Sequence, residues 1–485
     1  MHGHVFSRSQ KWLVVLLVSF VGILPGMTPN IYLPALDKVA SELHVGLDVA
    51  TVTITTYFLF QAFGALIWGP ISDSCGRRPT YIMSLFILVI ANIILTISPN
   101  ITLILVFRGV QGIASTVFIG SAVIYDIASD DERDDFLTFY QAIRNFIIVA
   151  APFIGGLLSN YLNFRSIFIF LLSFSLTALV VVIFLLPETL QGIAGNGTIH
   201  MTGIYKPVIN LLRVAKESNM PENPNSVERP PTVTAKSFYE PLLLLKEKDI
   251  IFSLTFGGIT FAVWNMVAIS TVGLFKIAFG LTPLFLGLAL VANGLGTIAG
   301  FTLIGNILNR DFLRASSLYK AHNQIPPSTS LSRLSLPPDF PIKHTRLSRL
   351  PYLIIVFIVC VSAYGFSLEY HTITIRSGWI LLPLFLQFLI AFCANAICAI
   401  HETLISDLFP KRGSLTAIVS NFVRGVLSAI GVGVIQMAIN GVGSGPAFLA
   451  LALVVMVLVP LPAMQWYSGE SYESRDARGV LEVIV

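Results

Sequence analysis

Long apolar runs alternate with short polar segments along almost the whole sequence. A run of about 18 mainly apolar residues, at about 1.5 Å per residue, can cross roughly 30 Å of hydrocarbon as a helix. Twelve runs reach this length and predict twelve membrane-spanning helices. The predicted spans are 12–35, 49–71, 80–97, 101–126, 136–159, 165–187, 249–275, 281–307, 351–369, 377–404, 415–438 and 445–467.

Composition agrees with a multi-pass membrane protein. Of the 485 residues, 55% are hydrophobic and 12% are charged, whereas about a quarter of a soluble domain is charged. The first apolar run continues past Pro29 without a small-residue cleavage site, so we expect it to stay as a span. The four cysteines lack metal-ligand spacing, and they predict neither a metal site nor a disulfide framework.

The basic residues predict the orientation of the spans. If the N-terminus is cytosolic, 23 of the 30 Lys and Arg lie on the inner side, four lie on the outer side, and three lie within spans. Inner loops of membrane proteins retain positive charge, so both termini are predicted to be cytosolic. The net charge of +4 is spread over many loops, and this spacing does not favour a nucleic-acid partner.

The spans fall into two groups of six, separated by a polar segment. The predicted parts are a cytosolic N-terminus (1–11), a six-helix bundle (12–187), a cytosolic linker (188–248), a second bundle (249–467) with a cytosolic insert (308–350), and a cytosolic tail (468–485). The Ser- and Pro-rich insert is expected to lack a fixed fold of its own.

The two halves read as a degenerate repeat. Gly305 and Asn309 keep the spacing of Gly69 and Asp73, with Arg310 following. Parallel repeats of this kind place equivalent helices on opposite walls of one cavity.

Three arginines within the spans are candidates for a binding site: Arg108, Arg144 and Arg424. Each costs about 2.5–3.5 kcal/mol at the centre of a span, so each must face protein or water. At helical spacing Arg108 shares a face with Gln111, and Arg424 lies beside Asn421. The planar guanidinium matches a carboxylate, which favours an anionic solute. A purely structural role for each arginine remains the alternative.

Aromatic and amide side chains add weaker candidates. Tyr57 and Gln61 share one face of the second span, and Trp264 and Asn265 are neighbours in the seventh. They predict contacts to a solute, although aromatic residues at this spacing also serve packing.

No carboxylate lies at the middle of a predicted span. Glu402, beside His401 near the inner end of the tenth span, is therefore the best candidate for a group that couples transport to protons. Both residues are equally compatible with an interfacial position.

The segment GPISDSCGRRP (Gly69–Pro79) resembles the cytoplasmic signature loop of the major facilitator superfamily. The match rests on Gly69, Asp73, Gly76, Arg77 and Arg78. The glycines allow two helices to approach across a turn, and Asp73 is expected to accept bonds from backbone amides at a helix start. The resemblance implies that Asp73 and Arg77 belong to an inner gate. An ordinary short basic loop is the alternative.

Further segments resemble the same family. RGVQGIAST, which begins at Arg108, is similar to its span-4 motif and implies proton coupling or substrate handling at that arginine. The segment APFIGG partly matches the antiporter motif G-P-x-x-G-G through Pro152, Gly155 and Gly156. PNIYLPAL, DFPIKHTRL and SDLFPKRGSLTAIVSNFVRG resemble the fungal twelve-span drug:proton antiporter-1 branch, with its quinidine-resistance, dityrosine and citrate exporters.

Together these features predict an all-α membrane protein with twelve transmembrane helices in two pseudo-symmetric six-helix bundles. The expected function is proton-coupled export of an organic anion or amphipathic drug-like solute by alternating access. A cationic multidrug:proton antiporter and a nutrient sensor on the transporter fold are the alternatives. Catalytic motifs are not found, so no enzyme and no cofactor are expected. The predicted partners are a small solute, protons and the lipid bilayer, with a monomer in the plasma membrane.

Overall fold

The computed structural model describes residues 6–115, 119–195, 203–209, 233–326, 336–337, 339–370 and 379–470, apart from the side chains of 130, 131, 411, 469 and 470. The rest of the predicted linker, insert and tail lies outside these ranges, as does Arg376, one of the four basic residues predicted on the outer side. Regular structure in the described ranges is helical. The helices of the first half are α1 (Arg8–Asn30), α2 (Leu36–Glu42), α3 (Leu47–Cys75), α4 (Arg77–Ile97), α5 (Ile101–Ile113), α6 (Ile119–Ile127), α7 (Asp130–Tyr161), α8 (Arg165–Leu185), α9 (Gln191–Ala194) and α10 (Ala235–Leu243).

The second half continues the pattern. Its helices are α11 (Lys248–Phe279), α12 (Pro283–His322), α13 (Ile342–Leu347), α14 (Leu350–Glu369), α15 (Leu381–Leu408), α16 (Gly413–Val442), α17 (Ser444–Leu458) and α18 (Pro460–Glu470).

Among the described residues, eleven helical segments are long and apolar enough to cross a membrane. The predicted span 101–126 corresponds to two shorter helices, α5 and α6. Helices satisfy every backbone N–H and C=O internally, which hydrocarbon requires because it offers no alternative partners. The predicted all-α membrane fold is confirmed.

The chain forms two compact units. One comprises the described parts of Met1–Pro241 with Pro283–Gly287, and the other those of Leu242–Thr282 and Leu288–Val485. In the first unit α1 packs on α7, and α4 packs on α8. In the second, the equivalent helices pair in the same way, since α11 packs on α16 and α14 packs on α17. The predicted repeat is therefore present in the packing inside each unit.

The expectation that the insert lacks a fold is wrong for its described part. Helix α12 continues into the insert as far as His322, and its length of 40 residues corresponds to about 60 Å. Phe312, Tyr319 and Phe340 form a small hydrophobic core there. The insert is mostly polar and Pro-rich, so its few aromatic residues did not indicate a core. They nevertheless pack together and bury one face of the helix.

Candidate functional site

Arg108 is enclosed in the first unit. Its side chain is fully buried, and its Nη1 donates to Oε1 of Gln111 at 2.7 Å and to the carbonyl of Thr28 at 3.4 Å. The guanidinium carbon lies 4.3 Å from the centre of the Tyr32 ring and 5.1 Å from that of Tyr57. None of these neighbours is a carboxylate. Nε and Nη2 have no hydrogen-bond partner among the described groups, so the cation keeps free donors.

A chain of amides holds Gln111 in place. Its Nε2 donates to Oδ1 of Asn92 at 2.6 Å, and Nδ2 of Asn92 donates to Oγ of Ser175 at 3.1 Å. The three residues come from α5, α4 and α8, so the network joins three helices. The amide oxygen of Gln111 is thereby oriented toward Arg108. The sequence contained no pattern that marked Asn92 or Ser175.

Tyr57 and Gln61, which are both on α3, lie near Arg108 of α5. Tyr57 is buried, and Gln61 donates from Nε2 to Oγ of Ser115 at 3.1 Å. A small cavity beside them is lined by Tyr57, Gln111 and Ser115 together with apolar side chains. The structure thus brings three of the predicted contact residues and Arg108 into one region.

Arg144 is half-buried on α7, one turn after Tyr140. Its guanidinium carbon lies 5.5 Å from the centre of the Tyr140 ring. Among the described residues it forms no ion pair. Arg144 is therefore a second uncompensated cation of the first unit.

Arg424 has a different environment in the second unit. Its Nη2 forms an ion pair with Oε1 of Glu402, and its Nε donates to the carbonyl of Ser420 at 3.4 Å. The Glu402 side chain is 41% exposed, and that of Arg424 is 15% exposed. Arg424, which was predicted to bind the solute, and Glu402, which was predicted to couple transport to protons, are therefore in direct contact.

The other residues of the second unit that were predicted to contact the solute each bind a different group of the protein. Trp264 donates from Nε1 to Oδ1 of Asn293 at 2.5 Å, and Asn265 donates from Nδ2 to Oγ of Ser428 at 3.2 Å. Asn421 donates from Nδ2 to the carbonyl of Ala417 on its own helix. Each of these side chains is engaged within the protein.

His401 faces away from the pair formed by its neighbour Glu402. It is buried, with its ring centre 5.7 Å from that of Phe256 on α11. Neither ring nitrogen has a hydrogen-bond partner among the described groups. Sequence adjacency to Glu402 therefore gives His401 no shared contact, because successive helical positions point about 100° apart.

The signature segment is more helical than a loop. Helix α3 runs through the buried Gly69 to Cys75, and α4 begins at Arg77, so Gly76 alone forms the break. Its φ of +105° is a conformation that favours glycine. An added Cβ would also meet the carboxylate of Glu188.

Arg77 is the centre of a charge cluster. It bonds Asp73 at 2.5 Å, Ser72 at 2.9 Å and Asp126 at 2.8 Å. The expectation that Asp73 accepts from backbone amides at a helix start is wrong, because its carboxylate points to the Arg77 side chain one turn on.

Glu188 performs the capping role instead. It accepts from the backbone N–H of Arg77 at 2.9 Å and of Arg78 at 3.2 Å, at the start of α4. It also accepts from the N–H groups of Thr189 and Leu190. Arg78 in turn donates to the carbonyl of Ile183 at 2.7 Å. Glu188 was missed because it lies more than 100 residues from the motif that it completes.

The second unit contains a counterpart at a position that the sequence did not suggest. Arg346 bonds Asp407 at 2.7 Å, and it donates to the carbonyl of Leu308. Asp126 and Asp407 thus each lie at the end of a pair of spans and accept from an arginine that precedes the same pair. Asn309 and Arg310, which repeat the spacing of the signature segment in sequence, lie inside α12. The arginine that pairs with Asp407 is Arg346 of α13 instead.

The partial antiporter motif lies inside α7. Pro152 is within this helix, and Gly155 is so close to the backbone of Ile31 that a Cβ would collide with its carbonyl. A Cβ at Gly156 would meet Pro283 and Gly287, which belong to the same compact unit. Two of the motif's small residues therefore serve close backbone packing.

Comparisons with known proteins agree with this architecture. A family model described as Major Facilitator Superfamily matches residues 16–332. The chain is 35% identical to "Citrate exporter 1" of Aspergillus niger, over 94% of this chain and 86% of that protein. It is 26% identical to "MFS antiporter QDR2" of Candida albicans (92% and 86%) and 27% identical to "Probable transporter AQR1" of Saccharomyces cerevisiae (95% and 78%).

Two repeated helical units of membrane-spanning length, together with these relatives, identify a multi-pass secondary transporter. The match over more than half of its length shows that this chain belongs to the major facilitator superfamily. The resemblance stated from its motifs is confirmed.

Proposed function

We propose that this protein exports a carboxylate-bearing organic anion by proton-coupled alternating access. The observation that carries the proposal is that Arg108 and Arg144 lie within spans and have no carboxylate partner among the residues that the structure describes. Uncompensated guanidinium groups attract an anion and repel a cation. The name of the Aspergillus niger relative adds citrate as the first solute to test.

Arg108, Arg144 and Arg424 would bind the anion, with Gln111 orienting Arg108. Tyr57, Gln61, Trp264, Asn265 and Asn421 remain proposed lining residues. Glu402 would couple the step to protons, and Asp73, Arg77 and Arg78, with Gly69, would form an inner gate. Pro152, Gly155 and Gly156 would support the movement of α7.

The protein would act as a monomer in the plasma membrane with both termini in the cytosol. Drug:proton antiporters often keep a carboxylate inside the membrane to exchange a proton for a cation. Glu402 is the nearest candidate, and its occupation by Arg424 favours the anion proposal.

Transport of labelled citrate into liposomes that contain the purified protein tests the proposal. We expect Arg144→Gln and Arg424→Gln each to lower the rate of citrate transport about 30-fold or more. Each change removes one partner of a desolvated charge pair, which the arginine forms with a carboxylate of the solute. Arg314→Gln, at an exposed arginine of α12, is the matched control. Citrate transport that survives both changes contradicts the anion proposal, and transport of quinidine without citrate supports the cation alternative. Ligand binding without net flux would instead indicate a sensor.

A further inference from the structure

A short segment of the linker returns to the end of α8. The carbonyl of Ile183 would bond the N–H four residues further on, but that residue is Pro187, which has no N–H. The N–H of Val208 donates to this carbonyl at 3.4 Å, and the N–H of Ile209 donates to the carbonyl of Phe184 at 3.0 Å. The C-terminal end of α8 therefore fixes the position of Val208 and Ile209.

An exposed apolar face of α8 leads to the same place. Leu176, Val180 and Phe184 recur at every fourth position of the helix, and all three are exposed. Because α8 is long and apolar enough to cross a membrane, exposed apolar side chains on it face hydrocarbon. Val208 and Ile209 are 63% and 48% exposed and lie at the Phe184 end of this face. The lipid-facing surface of α8 thus continues onto the linker.

Alternate side chains of the segment Gly203–Ile209 are turned toward the protein. Pro207 is buried, and Tyr205 is half-buried. The ring of Tyr205 lies against the signature segment, where a Cβ added at Gly76 would come within 3.2 Å of it. These inward side chains hold the segment on the first unit, so its remaining side chains are presented outward.

The outward positions of the segment carry three apolar side chains and one cation. Ile204 is exposed, as are Val208 and Ile209, and Lys206 is exposed between them. Apolar side chains in water forgo the gain that burial gives. At the boundary between lipid and water, the apolar groups can enter the acyl chains while a lysine reaches the headgroups.

We propose that Gly203–Ile209 is a phospholipid-binding anchor, in which Ile204, Val208 and Ile209 lie among the acyl chains and Lys206 binds the headgroup phosphate. The distribution of basic residues predicts that this end of α8 is cytosolic, so the lipid belongs to the inner leaflet. The lipid then holds the start of the linker against the signature segment. This anchor does not depend on which solute is transported.

Spin labels test whether the segment contacts lipid. The full chain in phospholipid nanodiscs carries Cys75→Ser, which removes an exposed cysteine, and a labelled Val208→Cys. Val359→Cys, at an exposed position of the apolar helix α14, is the lipid control, and Ser317→Cys, at an exposed position of the insert, is the water control. The readout is the accessibility of the label to oxygen divided by its accessibility to a water-soluble nickel chelate.

We expect this ratio at Val208 to exceed that at Ser317 about threefold or more and to approach that at Val359, since interfacial segments bury their apolar side chains below the headgroups. Ile209→Cys should give the same result, and it replaces Val208→Cys if that variant does not fold. A ratio equal to that at Ser317 would overturn the proposal. Protection from both reagents would overturn it as well, because protein would then cover the segment. Magnetic coupling between two labels would indicate a second copy of the chain there and would also overturn it.

The role of Lys206 has its own test. Lys206→Glu places a negative charge beside the lipid phosphates, so it should move the label at Val208 toward water and lower the ratio. Arg314→Glu, the same change of charge at an exposed arginine of α12, should leave the ratio unchanged. An unchanged ratio in Lys206→Glu would overturn the assignment of Lys206 to the headgroup phosphate.

Discussion

Arg346 and Asp407 form an ion pair in which Nε lies 2.7 Å from Oδ2, with side chains that are 1% and 5% exposed. The pair joins α13 to the end of α15, so the described part of the insert is attached to the second unit. A buried pair of this kind contributes little against an apolar replacement, but removal of one partner leaves an uncompensated charge.

We therefore expect Arg346→Gln to lower the free energy of unfolding by about 3–5 kcal/mol. The thermal midpoint of the purified protein in detergent measures this loss. The double variant Arg346→Gln with Asp407→Asn should recover part of it, because both charges are then absent. Arg8→Gln removes an arginine that is 70% exposed and pairs with Glu132, to which Lys11 also binds, and it should cost about 1 kcal/mol or less. Equal losses for Arg346 and Arg8 would contradict the assignment.

Glu188 caps the start of α4 and accepts from four backbone N–H groups. Glu188→Ala should lower stability by about 1–3 kcal/mol, because buried donors lose their acceptor. Thermal unfolding is the measurement, and Glu240→Ala at an exposed position is the control. An unchanged midpoint for Glu188→Ala would show that other groups satisfy these amides.

Gly155 and Gly305 should respond in opposite ways to alanine. A Cβ at Gly155 collides with the Ile31 carbonyl, whereas a Cβ at Gly305 meets nothing within 4 Å. Gly155→Ala should thus separate α1 from α7 and reduce the yield of folded protein. Gly305→Ala should be neutral or stabilise by about 0.5–1 kcal/mol, the usual advantage of alanine within a helix. Yield and monodispersity on size exclusion distinguish the two, and a well-folded Gly155→Ala would contradict the close packing.

Gln111→Glu would place a carboxylate where an amide oxygen now lies 2.7 Å from Nη1 of Arg108. The new ion pair should keep the protein folded but neutralise the buried cation. We expect citrate transport to fall about tenfold or more, since the internal carboxylate competes with the solute. Gln324→Glu, at an exposed position of the insert, should leave the rate unchanged. Undiminished transport in Gln111→Glu would remove Arg108 from the anion path.

The sequence alone was sufficient for the class of fold. Twelve apolar runs, a six-and-six division and the segment around Arg77 indicate two repeated helical bundles, because hydrocarbon admits a helix wherever such a run is long enough. The cost of a charge in lipid likewise singled out Arg108, Arg144 and Arg424 without any structure.

The partners of those charges were decided by tertiary packing. Glu402 and Arg424 are 22 positions apart on different helices, and Glu188 is more than 100 positions from the helix that it caps. Helical periodicity predicts which residues share a face, but it carries no information on which face of another helix will meet them. Whether an arginine inside a span forms an ion pair depends on which helix face packs against it. Only the folded chain therefore shows that Arg424 pairs with Glu402 whereas Arg144 lies against the Tyr140 ring.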